Sequence, residues 1–64
     1  MNSNTERVIQ RLKQEAGWIS GEAIGAGLGI SRNAVSKHIR TLRGQGYRIA
    51  ASPRRGYRLE AEPN

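Results

Sequence analysis

The chain has 64 residues, a formal net charge of +6 and no cysteine. That length makes one small domain near the lower limit for folding without a staple, and the lack of cysteine excludes a disulfide framework and a thiolate metal site. No apolar run can span a bilayer and residues 1–8 lack the basic-then-apolar order of a signal peptide, so a soluble, intracellular chain is expected.

Ser3 with Glu6 three positions on matches a capping box, which predicts a first helix from about residue 4 to about residue 15. Val8, Ile9, Leu12 and Ala16 form its inner stripe, while Arg7, Arg11, Lys13 and Gln14 point mostly outward. Gly17 is placed to close it in the left-handed conformation. This helix reads as scaffold. Trp18 and Ile19 favour a pleated, half-buried position, so residues 18–20 are expected as an extended connector pairing at the edge of a small sheet. Trp18 offers a face on which a nucleobase could stack, but as the sole tryptophan of a core-poor domain it is assigned to packing.

Ser20 can cap a second helix over residues 21–28, with Glu22 near its positive end and Ala23 or Ile24, together with Leu28, facing inward. Gly25 and Gly27 each cost about 1 kcal/mol relative to alanine inside a helix. Gly25 is therefore expected where another helix comes close; Gly27 has no such account. Gly29 ends the helix and Ile30 plugs the turn. The Gly-Ala-Gly-Leu-Gly string is not a phosphate loop, because the G-x-G-x-x-G spacing is missing and the chain is too short for the fold that gives such glycines meaning.

Residues 31–43 form an amphipathic helix capped by Ser31, with Val35, Ile39 and Leu42 on one stripe. Asn33, Ser36, Lys37 and Arg40 follow a second stripe and Arg32 stands beside its start, with no acid among them. A solvated helix would mix both signs of charge. A membrane-surface helix would carry a wide apolar face with bulky anchors. A groove-reading helix carries just such residues: Arg and Lys reach phosphates or guanine, Asn pairs with adenine, and Ser suits either. His38 lies near the inner edge, where a single histidine is more often a packing residue than a base or ligand, and no second His or Cys completes a metal site.

Gly44 and Gly46 stop this helix, Gly46 being the better left-handed candidate. Residues 47–51 and 57–59 alternate like strands and residues 52–56 supply turn chemistry, so a hairpin is predicted. Arg54 and Arg55 sit at its tip, with Arg48 and Arg58 on its outward face. Two short helices joined at a tight glycine corner, with aliphatics at fixed offsets, match a helix-turn-helix. A plain helical hairpin would show the same offsets, and the exposed basic stripe weighs against it. The hairpin then becomes a wing, able to touch phosphates or the minor groove. The fold class is α+β: a winged helix-turn-helix of three helices and a two-stranded wing, with residues 18–20 as a possible third short strand. The expected core is Val8, Ile9, Leu12, Trp18, Ile24, Leu28, Ile30, Val35, Ile39, Leu42, Tyr47, Ile49, Tyr57 and Leu59. All five acids are Glu, at positions 6, 15, 22, 60 and 62, which leaves residues 23–59 free of carboxylate but rich in arginine. Such segregation is expected to attract a polyanion. The candidate DNA-contacting residues are Ser31, Arg32, Asn33, Ser36, Lys37, Arg40, Arg54 and Arg55.

From residue 5 to residue 59 the chain resembles the N-terminal DNA-binding domain of bifunctional biotin-protein ligases, which also repress biotin-synthesis operons. The most specific pieces are Ser31-Arg32-x-Ala34-Val35-x-Lys37-x-Ile39-x-x-Leu42-Arg43-x-x-Gly46 and the closing Gly56-Tyr57-x-Leu59. The resemblance implies that Arg32, Asn33, Ser36, Lys37 and Arg40 lie on the recognition helix, that Arg54 and Arg55 lie on the wing, and that His38 takes a position where the family also tends to carry histidine. It implies double-stranded operator DNA as partner, a cytoplasmic bacterial or archaeal setting, and a parent protein that dimerises on DNA, with the isolated domain a monomer. Biotin and ATP, which yield biotinyl-adenylate, belong to the family's ligase domain; residues 1–60 then form the DNA-binding domain, residues 61–64 begin a linker, and no catalysis or cofactor is expected of this segment. Two alternatives stand beside this: the winged helix of another bacterial regulator, and a winged helix that docks its basic face on a protein partner.

Overall fold

A computed structural model of the chain describes residues 3–63, and of Ser3 the backbone alone. Its elements are α1 (Ser3–Gln14), α2 (Gly21–Leu28), α3 (Arg32–Gly44), β1 (Arg48–Ser52) and β2 (Gly56–Ala61). The two strands pair antiparallel through the turn at residues 53–55, as the alternating pattern predicts, and with the helices make the expected winged helix-turn-helix. The cap expected of the Ser3 side chain lies outside the described residues.

Helix α1 presents Val8, Ile9 and Leu12 to the core and ends at Gln14, a residue earlier than predicted. Ala16 is exposed and lies beyond the helix, so it does not extend the inner stripe. Gly17 is not left-handed either: the positive-φ glycines are Gly29, Gly46 and Gly56. Leaving the helix early lets the chain extend, and in an extended segment neighbouring side chains face opposite ways. Ile19 takes the inward place and is buried, whereas Trp18, expected in the core, is half-buried under the Arg58 guanidinium, 5.0 Å from its ring centroid. The expected third strand is present as one bridge: the Ile19 amide donates to the Tyr57 carbonyl at 2.9 Å and the Tyr57 amide returns to the Ile19 carbonyl at 2.8 Å.

Ser20 caps α2 by accepting from the Ala23 amide at 3.0 Å, and Gly29 closes it at φ 71°. Gly25 is indeed a point of close approach, but its neighbour is the turn rather than another helix: an added Cβ would stand 2.5 Å from the Ile30 carbonyl oxygen. Around Gly27 the space is open. Ser31 caps α3 through the Ala34 amide at 3.1 Å, and Val35, Ile39 and Leu42 are buried. These residues join Val8, Ile9, Leu12, Ile19, Ile24 and Ile49 in the buried core, with Leu28, Ile30, Tyr47, Tyr57 and Leu59 packed partly buried against it. Thr5 is buried among them, and its Oγ1 lies 2.9 Å from His38 Nδ1, which satisfies both polar groups and supports the packing role read for His38.

The β1–β2 register slips between Arg48 and Ile49, marking a bulge at the base of the wing. Gly56, at φ 98°, pairs with Ser52 at the turn end of the wing, where a Cβ would collide with the Ile19 carbonyl oxygen and Ser20 Cα. Beyond β2 the Glu62 carboxylate meets Lys13 Nζ at 2.9 Å and Pro63 lies against Gly46.

Candidate nucleic-acid interface

The periodicity that buries Val35, Ile39 and Leu42 turns the rest of α3 to solvent. Asn33, Ser36, Lys37 and Arg40 are all exposed there, and Arg32 is exposed in the first helical turn. The Ser31 oxygen is engaged as the cap, which leaves its proton free to donate outward. Arg32 is anchored by its stem: an added Cβ on Gly21 would stand 3.3 Å from Arg32 Cγ and 3.2 Å from the Tyr57 ring. The guanidinium thus projects from a point where α2, α3 and the wing meet.

Across from it the wing supplies the second group. Ser52 Oγ accepts from the amides of Arg54 and Arg55, each at 3.3 Å, so one hydroxyl holds the turn that carries both exposed arginines. Arg32 and Arg54 line a single cleft of about 360 Å³ together with Ser20, Glu22, Pro53 and Tyr57. Ser31, Arg32, Asn33, Ser36, Lys37 and Arg40 therefore share the exposed side of one helix, and the wing brings Arg54 to Arg32 while Arg55 stays at the tip.

Electrostatics sort the cations into two groups. The ion pairs among the described residues are Arg11 with Glu15 at 2.6 Å, Lys13 with Glu62 at 2.9 Å and Arg58 with Glu60 at 3.2 Å. All of these involve α1 or β2, and none engages Arg32, Lys37, Arg40, Arg54 or Arg55. The hydrogen bond to Glu62 raises the Lys13 pKa above its usual range, keeping that ammonium charged and occupied. Arg48 and Arg58 are both exposed, as expected of the outward face, and Arg58 also lies over the Trp18 ring and pairs with Glu60. Among the described residues no cluster of His, Cys, Asp or Glu is placed to hold a metal ion, and no helix is long and apolar enough to cross a membrane.

Two residues important to this face escape the sequence. The Arg43 guanidinium, counted above as part of the basic span, donates to the Ile49 carbonyl from Nη2 at 2.8 Å and from Nε at 3.3 Å. Nothing local to Arg43 announces that partner. Ser52 could have been found, since a serine before Pro-Arg-Arg-Gly is a side-chain-to-backbone turn signal.

A short α2–α3 corner, a solvent-facing cationic helix and a hairpin wing define a helix-turn-helix domain of the winged kind, and residues 4–58 match the helix-turn-helix domain family, to which the chain belongs. Among its relatives is the Bifunctional ligase/repressor BirA of Bacillus subtilis (strain 168), 45% identical over 65 residues that cover 98% of this chain and 20% of the relative. The protein of that name from Bacillus spizizenii shows the same identity and coverage. That of Escherichia coli (strain K12) is 50% identical over 40 residues, 62% of this chain and 12% of the relative. The resemblance drawn from the motifs is the one these comparisons return, and the chain spans 20% of the length of its Bacillus relatives.

Proposed function

We propose that this chain reads double-stranded operator DNA as the DNA-binding domain of a biotin-protein ligase that doubles as a repressor of a biotin-synthesis operon. The observation that carries the proposal is the exposed face of α3, where Arg32, Lys37 and Arg40 have no carboxylate partner among the described residues, set beside a wing tip bearing Arg54 and Arg55. In this reading α3 enters the major groove. Lys37 and Arg40 reach guanine edges or phosphates, Asn33 reaches adenine, and Ser31, Ser36 and Arg32 fix the helix on the backbone. Arg54 and Arg55 follow the adjoining minor groove or its phosphates. The names of the relatives, which join ligase and repressor, support the operon assignment.

Ligase chemistry, with biotin and ATP forming biotinyl-adenylate, falls to the remainder of a longer protein in the bacterial or archaeal cytoplasm. Residues 1–60 serve as its DNA-binding domain and residues 61–64 lead toward the rest. Two copies bind one operator, because helix-turn-helix proteins read paired half-sites, so a single domain binds weakly.

The test is a binding titration against duplexes selected from a random pool. Wild type is expected to enrich a defined half-site. Lys37→Ala with Arg40→Ala should lose about tenfold or more on that site, given ~1–3 kcal/mol for each good base contact. Equal binding by wild type and double mutant would remove α3 as the reading element. Broad amide shifts indifferent to DNA sequence would favour a protein-docking role for the same face.

A further inference from the structure

We infer that Arg43 is a positioning residue that sets the wing at a fixed angle to α3, so that Arg54 and Arg55 reach the duplex that α3 reads; the inference rests on the DNA-binding reading above. A two-stranded ribbon is marginal alone in water and takes its orientation from its ties to the rest of the domain, and two ties at opposite ends define a direction. Near its turn the hairpin is held on the β2 side by the reciprocal bonds between Ile19 and Tyr57, one pair from the closing Ser52–Gly56 pair, so its open end must be fixed separately. On the β1 side only residues 45–47 separate α3 from the strand, and the register slips between Arg48 and Ile49. A bulge bends and twists a strand, so this end needs a second tie to define a direction. The Arg43 guanidinium supplies it: Nη2 and Nε converge on the Ile49 carbonyl at 2.8 and 3.3 Å, at the slip itself. Two donors fixed in one plane specify direction as well as distance, which a lysine ammonium cannot do.

Arg43 thus stands apart from its neighbours in the basic span. Lys37 and Arg40 are exposed and have no side-chain partner among the described residues, while Arg43, in the last turn of the same helix, directs its charge to the backbone of the wing. Its side chain strengthens DNA binding without touching DNA.

The test uses the 64-residue chain and the selected half-site duplex in a double-mutant cycle. Arg43→Gln and the pair Arg54→Ala/Arg55→Ala should each weaken binding, and adding Arg43→Gln to the wing-tip pair should cost less than about twofold more, because the two changes remove the same wing contacts. Arg43→Lys should bind no better than Arg43→Gln, whereas a phosphate-contacting arginine would tolerate lysine. Fold-changes that multiply, or wild-type binding by either Arg43 variant, overturn the inference. Two measurements guard against a variant that merely fails to fold. In the wild-type chain the Arg43 Nε–Hε resonance should hold its position as DNA is added, and a large shift would place the guanidinium on DNA. In the free chain, residual dipolar couplings of the wing amides should reorient relative to α3 in Arg43→Lys, and unchanged couplings overturn the inference. The couplings need no DNA, so they decide the role of Arg43 even if wild type binds no duplex and the functional reading fails.

Discussion

Gly25 and Gly27 sit two residues apart in one helix and should respond in opposite directions to the same change. At Gly25 an alanine methyl would stand 2.5 Å from the carbonyl oxygen of Ile30, a residue held in the turn by the bond from its own amide to the Gly25 carbonyl at 2.9 Å. Gly25→Ala should destabilise the chain by roughly 2 kcal/mol or more, since the corner itself must shift. Gly27 has open space around it and a negative φ. Gly27→Ala should stabilise by about 0.5 to 1 kcal/mol through helix propensity and the lower entropy of the unfolded chain. Urea denaturation of both variants checks the pair. The sequence reveals that Gly25 is crowded, because a glycine inside a short helix before a tight corner needs a reason. It conceals what crowds it. At Gly17 the same reasoning misleads: the chain leaves α1 through a bend at Ala16 and Gly17, without a left-handed residue, and then brings Ile19 inward.

At the scale of elements, α3 was the most legible because its signals are local: a serine cap, a three-aliphatic stripe and a glycine after the last turn. Ser31→Ala removes the acceptor for the Ala34 amide and should cost about 1 kcal/mol of stability, read from the shift in urea midpoint at unchanged slope. The wing was legible as a hairpin from its turn residues, and the third strand was legible in outline. Which of Trp18 and Ile19 faces inward was not, since that depends on pairing with Tyr57, a residue separated from them by α2, α3 and β1. Hydrophobic size argued for Trp18. Strand parity decided for Ile19, and the tryptophan was left to stack against Arg58. The ties of Thr5 to His38 and Arg43 to Ile49 were hidden for the same reason, as each joins elements whose relative placement no local pattern encodes.

Over the whole molecule, carboxylates and cations are distributed so that the exposed side of α3 and the wing tip keep their charge. Glu15, Glu60 and Glu62 are engaged with Arg11, Arg58 and Lys13, away from that face. A footprint of roughly 4 to 6 phosphates predicts that log affinity falls against log salt with a slope of roughly −4 to −5. Titrations between low and physiological salt check this, and a slope near zero would mean that the face does not displace counterions. The reciprocal bonds between Ile19 and Tyr57 bear on kinetics as well as shape. They close a ring containing most of the chain, so the entropy of that closure opposes them until the helices have already condensed. Hydrogen exchange should then find the Ile19 and Tyr57 amides opening at lower free energy than those of Val35 and Ile39, with the hairpin last to join the nascent domain and first to leave it.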